Sequence, residues 1–254
     1  MDIREACRFS ENIQRHFWEI ARLKFVRRLI NVHMPSPGSV LDIGCGDGFV
    51  LQSLAGNFPS AFFTGIDIAL TDEIITQITE RARDCKNISL YRQMPPQSNK
   101  KPDLILLLDV LEHIADETDF LNSLHAFIHN ESRIIITVPA FQQLFTEHDR
   151  HLKHFRRYNR RQLLEILEKS GFEVLTSGYI FASLLPLRIL QKLLRLGSTS
   201  AQHNLHAGNS AINHIAAWIL NIDAALAFQL SRRNIFIPGL SCFAVARSKC
   251  DRQI

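Results

Sequence analysis

The chain has 254 residues, 46% hydrophobic and 21% charged, a balance typical of a globular protein that can bury a sizeable core. Its net charge of +4 does not by itself call for nucleic acid, and its five cysteines lack the CxxC spacing of a zinc site or the even number of a disulfide framework. The N-terminal segment has charges where a secretion signal needs apolar residues, so we expect a reduced, cytoplasmic setting.

The first predicted element is a helix. Apolar residues recur at an imperfect helical spacing from about Ser10 to Val32, and Pro35 and Pro37 end the pattern. A second pattern follows from Val40 to Gly48, with the sequence VLDIGCGDG. It predicts a buried parallel strand that ends in a glycine-rich turn, where the backbone can closely approach a ligand.

The spacing of this turn is GxGxG, and Phe49 occupies the place where a dinucleotide fingerprint needs its third glycine, which counts against NAD. The next apolar segment, Ala61 to Ile66, ends in Asp67, whose carboxylate could accept hydrogen bonds from both hydroxyls of a ribose. A further apolar run, Leu104 to Leu108, ends in Asp109 and continues as VLEHI. Polar groups are therefore expected at three neighbouring strand ends.

Strands and helices alternate along the rest of the first two thirds of the chain. Further helices are predicted at 49–58, 71–85 and from Asn159, which caps its helix with Gln162, to Gly171; further strands are predicted at 88–92, 133–139 and 172–176. This alternation predicts an α/β fold with a doubly wound parallel sheet.

A basic segment, FTEHDRHLKHFRRYN at residues 145–159, lies between a strand and a helix on the ligand-binding edge of such a sheet. Three interpretations are open: an anion pocket, a general base, or a solvated run of charges. His148 and His154 are the candidate catalytic bases, Arg156 and Arg157 could hold a phosphate or carboxylate of the substrate, and Tyr158 could orient it. His148 and Asp149 could instead form a salt-bridged hinge.

Two apolar helices joined by a polar loop at 197–210 precede the last strand. The first carries Arg188, Gln191, Lys192 and Arg195 on one face, as a helix lying on an anionic membrane would; a lid or dimer helix packed on the domain is the preferred interpretation. The second, Ala211 to Leu230, is interrupted by polar residues, and a buried lid or dimer helix fits it better than a membrane span.

With Asp42, the three glycines, Asp67 and LDVLEHI in order, the chain resembles the class I S-adenosylmethionine-dependent methyltransferases, in particular the type 11/12 group. The basic segment resembles the HD...H.RRY signature of bacterial methyltransferases of glycolipid and cell-envelope pathways. The resemblance implies a Rossmann-like sheet of seven strands, the last antiparallel and preceded by a helical lid insertion. It divides the chain into an N-terminal cover (1–34), a cofactor-binding core (35–178), an insertion (179–234), and a final strand and tail (235–254).

The resemblance also implies roles for individual residues. Asp42 would hold the methionine ammonium of the cofactor, and Arg22 could reach its carboxylate, although a solvated charge is preferred for Arg22. Phe17 and Trp18 would line the site or simply pack, and Glu112 and His113 are expected to be structural. The predicted cofactor-binding set is Asp42, Gly44, Gly46, Gly48, Asp67, Ile68, Gln93, Met94 and Leu108, with Gln93 and Met94 in place of the acidic residue that relatives use for adenine.

We therefore expect a methyltransferase that uses S-adenosylmethionine, releases S-adenosylhomocysteine and acts on a small-molecule or lipid- or glycan-linked acceptor, with O-methylation preferred. No metal and no nucleic-acid partner are expected, while a homodimer and peripheral membrane contact stay open. The alternatives are N- or C-methylation, a noncatalytic methyltransferase-like binding module, and a nucleotide-dependent oxidoreductase.

Overall fold

The computed structural model describes residues 15–83, 85–94, 101–194 and 210–249. A seven-stranded sheet forms the centre of the molecule, with strands in the order β3-β2-β1-β4-β5-β7-β6. The strands are β1 (Ser39–Ile43), β2 (Phe62–Ile66), β3 (Ile88–Tyr91), β4 (Leu104–Leu108), β5 (Arg133–Pro139), β6 (Phe172–Ile180) and β7 (Ser241–Ser248).

Strands β1 to β5 pair in parallel, whereas β7 lies between β5 and β6 and is antiparallel to both. The pairing register brings the carboxyl ends of β1, β2 and β4 together, with Ile43 opposite Ile66 and Leu107. The predicted doubly wound, Rossmann-like sheet with an antiparallel last strand is confirmed.

The helices cover both faces of the sheet. They are α1 (Phe17–His33), α2 (Phe49–Ala55), α3 (Asp72–Arg81), α4 (Glu117–Ser123), α5 (Glu147–His151), α6 (Arg160–Lys169), α7 (Leu185–Leu193) and α8 (Ser210–Ser231). The capping box at the start of α6 forms as predicted, with the Asn159 side chain accepting from the Gln162 amide and the Gln162 side chain accepting from the Asn159 amide.

Two apolar layers result from the alternation of side chains along the strands. Residues of β4 divide between them, Leu104, Leu106 and Leu108 facing one layer and Ile105 and Leu107 the other. Helices α1, α2 and α8 supply the first layer, and α4 and α6 supply the second. The ligand-binding edge is thereby fixed on both sides by packed helices.

The long helix α8 packs one face into the core. Its Leu220, Ala224 and Phe228 are buried in the first layer, where Phe228 meets Phe25 of α1 and Phe243 of β7. Its Asp223 accepts hydrogen bonds from the amides of Ala182 and Ser183 at 3.1 and 2.7 Å. The inner face of α8 therefore belongs to the core, and its acidic residue caps the turn that follows β6.

The outer faces of α7 and α8 expose apolar side chains. Trp218, Ile219 and Leu226 are exposed on α8, and Leu187, Leu190 and Leu193 on α7, where Leu193 is 74% exposed. Within the described ranges, none of the helices combines the length and apolar character that spanning a bilayer requires.

Element bounds differ from the predictions mainly at their ends. Strand β6 continues to Ile180 because it pairs with β7 along its whole length, and α2 ends at Ala55 rather than Phe58. The start of the predicted N-terminal helix at 10–14, Arg195 and the predicted polar loop at 197–209 lie outside the described residues.

Candidate functional site

The glycine turn after β1 forms as predicted. Gly44, Gly46 and Gly48 all have positive φ, at 77°, 58° and 74°. A Cβ on Gly44 would lie 2.7 Å from Cγ2 of Val110, so this position also lacks room for a side chain. The turn therefore requires glycine for its backbone conformation, and at Gly44 for close packing on the segment after β4.

Asp67 follows β2 and contacts the turn directly. Its Oδ2 accepts a hydrogen bond from the Gly46 amide at 3.0 Å, and its Oδ1 accepts one from the Ala69 amide at 2.9 Å. The side chain of Ile68 beside it is 90% exposed. The structure thus brings the predicted carboxylate and the middle of the glycine turn together at the ends of two adjacent strands.

Asp42 is buried beneath the turn. Burial raises the pKa of its carboxyl to about 7; the negative charge of Asp67 adds to the rise, and the positive charge of Arg22 opposes it. Arg22 of α1 forms an ion pair with Asp109, whose other carboxylate oxygen accepts from the Thr137 hydroxyl at 3.1 Å. Arg22 is therefore an internal partner of this edge rather than a solvated charge.

The other residues predicted to bind or cover the cofactor differ in their exposure to solvent. Leu108 is buried, Met94 packs partly buried against the second apolar layer, and Gln93 is exposed. Phe17 and Trp18 pack against the first layer, and the ring of Trp18 lies 4.4 Å from that of Phe181 between centroids.

The basic loop is organised around Asp149. This buried carboxylate accepts from the Thr146 amide and hydroxyl at 2.8 and 2.9 Å, from Nδ1 of His154 at 3.1 Å, and from Nε of Arg157 at 2.8 Å. A second Arg157 nitrogen lies 3.0 Å from Oδ2. These hydrogen bonds and the positive charge of Arg157 hold the pKa of Asp149 well below its ordinary value, although burial opposes them.

Three residues predicted to contact substrate have partners inside the protein. Arg157 is held by Asp149, and Arg156 forms an ion pair with Glu117 and donates to the Ala115 carbonyl at 2.7 Å. Tyr158 is 1% exposed, and its hydroxyl donates to the Leu111 carbonyl at 3.1 Å. These contacts fix the loop on the segment after β4.

Two histidines meet across the site. The rings of His113 and His154 lie 4.5 Å apart between centroids and are perpendicular. Burial, together with the neighbouring His154, lowers the pKa of His113 to about 4, so its imidazole is neutral at pH 7. His148, the other candidate base, is exposed on α5.

Glu112 completes this group. Its side chain is buried, and neither carboxylate oxygen has a hydrogen-bond partner among the described residues. Burial and the negative charge of Asp109 raise its pKa well above the ordinary value. The family resemblance implied structural roles for Glu112 and His113, and nothing in LEHI points to a histidine 41 positions after His113.

An apolar cavity that is open to solvent, with a volume of about 560 Å³, lies between the segment after β5 and helix α7. Its lining consists of Phe141, Gln143, Leu144, Leu185, Ile189, Lys192 and Leu193. Lys192 donates to the Gln143 carbonyl across it. The volume is that of a small-molecule site, and no sequence pattern pointed to it.

A family model described as a methyltransferase domain matches residues 14–177, more than half of the 254. The chain belongs to this methyltransferase family. The match and the fold confirm the prediction of a class I S-adenosylmethionine-dependent methyltransferase, while the type 11/12 assignment and the HD...H.RRY subgroup stay predictions. No curated protein matches the chain.

Solved structures of methyltransferases are similar to the chain over most of its length. One is coclaurine N-methyltransferase bound to N-methylheliamine and S-adenosylhomocysteine, with a TM-score of 0.59 and 13% identity, covering 94% of this chain and 74% of that one. The plantazolicin methyltransferase BamL, in complex with a triazolic desmethylPZN analog and S-adenosylhomocysteine, has a TM-score of 0.57 and 17% identity, with coverage of 92% and 85%.

The [4+2]-cyclase SpnF is similar to the same degree, with a TM-score of 0.55, 16% identity, and coverage of 89% and 81%. At these identities the likeness shows the fold alone. A cyclase and two methyltransferases share this fold. The fold therefore does not determine the acceptor or the bond formed, which depend on the side chains at the site.

Asp42→Asn should reduce the dependence of stability on pH. Because the pKa of Asp42 is raised on folding, its contribution to the free energy of unfolding is greatest below the ordinary value of 3.8 and is lost as the pH rises to about 7. Urea unfolding across this window should show a flatter profile for the variant, by on the order of 1 to 4 kcal/mol. The exposed Asp72→Asn is the control, and equal slopes in both variants would contradict the assignment.

Proposed function

We propose that the protein transfers the methyl group of S-adenosylmethionine to a hydroxyl oxygen of a small-molecule or lipid-linked acceptor. The observation that carries the donor half is the hydrogen bond between Asp67 and the Gly46 amide, which joins the glycine turn to the next strand end. The Gly46 and Ala69 amides already orient the oxygens of the Asp67 carboxylate, which would accept hydrogen bonds from the ribose hydroxyls of the cofactor. The methionine part of the cofactor then extends along the turn toward Asp42.

The part of the site around Asp42, where the methyl donor would bind, suits a ligand that carries positive charge. Asp42 lies under the turn with a pKa of about 7, so an ammonium group bound beside it would favour the charged carboxylate. Gly44 and Gly48 give the cofactor access to backbone, and Leu108, Ile68, Gln93 and Met94 surround the nucleoside end in this proposal. The sulfonium is an activated donor, so the protein needs mainly to align the reactants and exclude water.

The acceptor half rests on His113 and His154. They lie at the same edge of the sheet, directly after β4 and in the loop after β5. A neutral imidazole can take the proton of an acceptor hydroxyl or ligate an ion that acidifies it. The apolar cavity beside α7 would take the hydrophobic part of the acceptor. Arg156, Arg157 and Tyr158 position the loop, and Phe17 and Trp18 cover the donor.

Asp67→Ala should weaken binding of S-adenosylhomocysteine by about tenfold or more. The substitution removes the carboxylate that accepts hydrogen bonds from the ribose hydroxyls and from the Gly46 amide. Calorimetric titration of the wild type and the variant measures this. The matched control is Asp72→Ala, which removes a carboxylate that is 94% exposed a few residues further along the chain. Unchanged affinity in Asp67→Ala with native thermal unfolding would remove Asp67 from the site.

The acceptor atom can be tested with labelled methyl donor and a panel of apolar molecules that carry hydroxyl, amine or carboxylate groups. We expect label to appear on the hydroxyl compounds as an alkali-stable ether, and His154→Gln to reduce the rate by about 100-fold or more while S-adenosylhomocysteine still binds. Label found on amines, with hydroxyl compounds unlabelled, would favour N-methylation instead.

We further propose that the exposed face of α7 contacts a membrane that holds the acceptor. Leu187, Leu190 and Leu194 recur at helical spacing on this face and are each more than half exposed. Of the predicted basic face, Arg188 is half-buried and hydrogen-bonds to Gln191, whereas Lys192 is exposed beside the leucines. An apolar face of this kind inserts into the interfacial region of a bilayer.

Leu187→Ser/Leu190→Ser should reduce sedimentation of the protein with anionic phospholipid vesicles, because the substitutions remove exposed apolar area and no core contact. Phe62→Ser is the matched control, since Phe62 is a single apolar side chain 67% exposed at the start of β2. If the wild type does not sediment with vesicles but forms a dimer that the two leucine substitutions abolish, the face contacts a second copy of the chain and not a membrane.

A further inference from the structure

We propose that Glu112, His113 and His154 bind a divalent transition-metal ion at the acceptor side of the site. One ligand atom from each of the three residues lies within 4.8 Å of the ligand atoms of the other two. Two residues come from the 3-10 turn Leu111–His113 after β4, and the third comes from the loop after α5. We call these three residues the 112–154 cluster.

Glu112 provides the first argument for an ion. Its carboxylate is buried, and neither oxygen has a hydrogen-bond partner in the described part of the chain. Burying a carboxylate without a partner costs several kcal/mol, and folded proteins rarely leave such a group unsatisfied. An ion placed between Glu112 and the two imidazoles would satisfy it.

His154 provides an independent argument. Its Nδ1 donates to Asp149 at 3.1 Å, so Nε2 is the nitrogen left for a ligand. Asp149 is in turn fixed by Arg157 and Thr146, which prevents the imidazole from turning. A carboxylate that orients a histidine through its other ring nitrogen is the usual outer partner of a metal-binding histidine.

The donor set indicates the class of ion. Two imidazoles and one carboxylate are the protein ligands of catalytic zinc sites and of facial-triad iron sites, whereas Mg²⁺ and Ca²⁺ prefer oxygen alone. Three protein ligands also leave at least one coordination position open. The 112–154 cluster therefore fits Zn²⁺, Fe²⁺ or Co²⁺ better than Mg²⁺, in contrast to the expectation from sequence that no metal is used.

The role of the ion rests on the proposed function, although its binding does not. A bound ion would supply Lewis acidity, so that an acceptor hydroxyl in the open position would release its proton to bulk water as the acceptor binds, before water is excluded from the reacting atoms. That oxygen then attacks the methyl carbon of S-adenosylmethionine as the carbon–sulfur bond breaks. The electron pair of the broken bond remains on sulfur, and the products are the methyl ether, S-adenosylhomocysteine and one proton.

The test is a titration of the chelator-treated, full-length protein with Co²⁺, followed by visible absorption and calorimetry. We expect one equivalent to bind with the absorption bands of a nitrogen- and oxygen-ligated ion, Zn²⁺ to displace it, and Mg²⁺ to leave it in place. Glu112→Gln and His113→Gln should each weaken binding by more than the roughly 10- to 100-fold that is typical of outer partners. His151→Gln, which removes an exposed imidazole from the same loop, should bind as the wild type does.

No bound equivalent in the wild type, or equal binding by the wild type, Glu112→Gln and His113→Gln, would overturn the proposal. The wild-type titration is informative even if a variant fails to fold. Titration of S-adenosylhomocysteine into the same samples separates the two proposals. Cofactor binding without metal binding would refute the metal site alone, and metal binding without cofactor binding would refute the proposed function while the metal site stands.

Discussion

The carboxyl edge of the sheet brings together the carboxyl groups of Asp42, Asp67, Asp109 and Glu112, of which Asp42 and Glu112 are buried. Burial raises the pKa of both Asp42 and Glu112; the charge of Asp67 adds to the first rise and that of Asp109 to the second, while the charge of Arg22 opposes both. The fold places these carboxylates together because strands β1, β2 and β4 end at one edge. Such an edge is stabilised by a positively charged ligand, and the two ligands proposed for it, a sulfonium cofactor with its ammonium and a divalent ion, both carry positive charge.

Local signals predicted the glycine turn and the strand end beside it well. Three features depend only on residues that are near one another in the sequence: the glycine turn, the strand that precedes Asp67, and the capping box of Asn159 and Gln162. Over such short segments, backbone conformation and local hydrogen bonds decide the structure. The parallel arrangement of the strands then followed from the alternation of strands and helices. Sequence reasoning was strong here because each signal constrains its own neighbourhood.

The acceptor half depends on contacts between distant segments, and sequence did not predict them. Arg157 and Tyr158 are residue types that often bind anions. In the structure Arg157 donates to Asp149, and the Tyr158 hydroxyl donates to the Leu111 carbonyl. His113 and His154 meet only because the loop after β5 folds back on the segment after β4, where the Phe155 amide donates to the Glu112 carbonyl at 2.7 Å. Residue type alone could not distinguish a group that binds a ligand from one that holds a loop.

Asp149 connects these observations. One carboxylate holds Arg157, which secures the loop to the Ala140 carbonyl, and orients His154, which faces Glu112 and His113. The buried Asp149 carboxylate thus joins a basic residue of the loop, Arg157, to His154. Arg156 and Arg157 both have internal carboxylate partners, and their contact with substrate stays a prediction. We also expect acceptor selection to depend on the apolar lining beside α7, formed by Phe141, Leu144 and Ile189, and on the oxygen that the 112–154 cluster can receive.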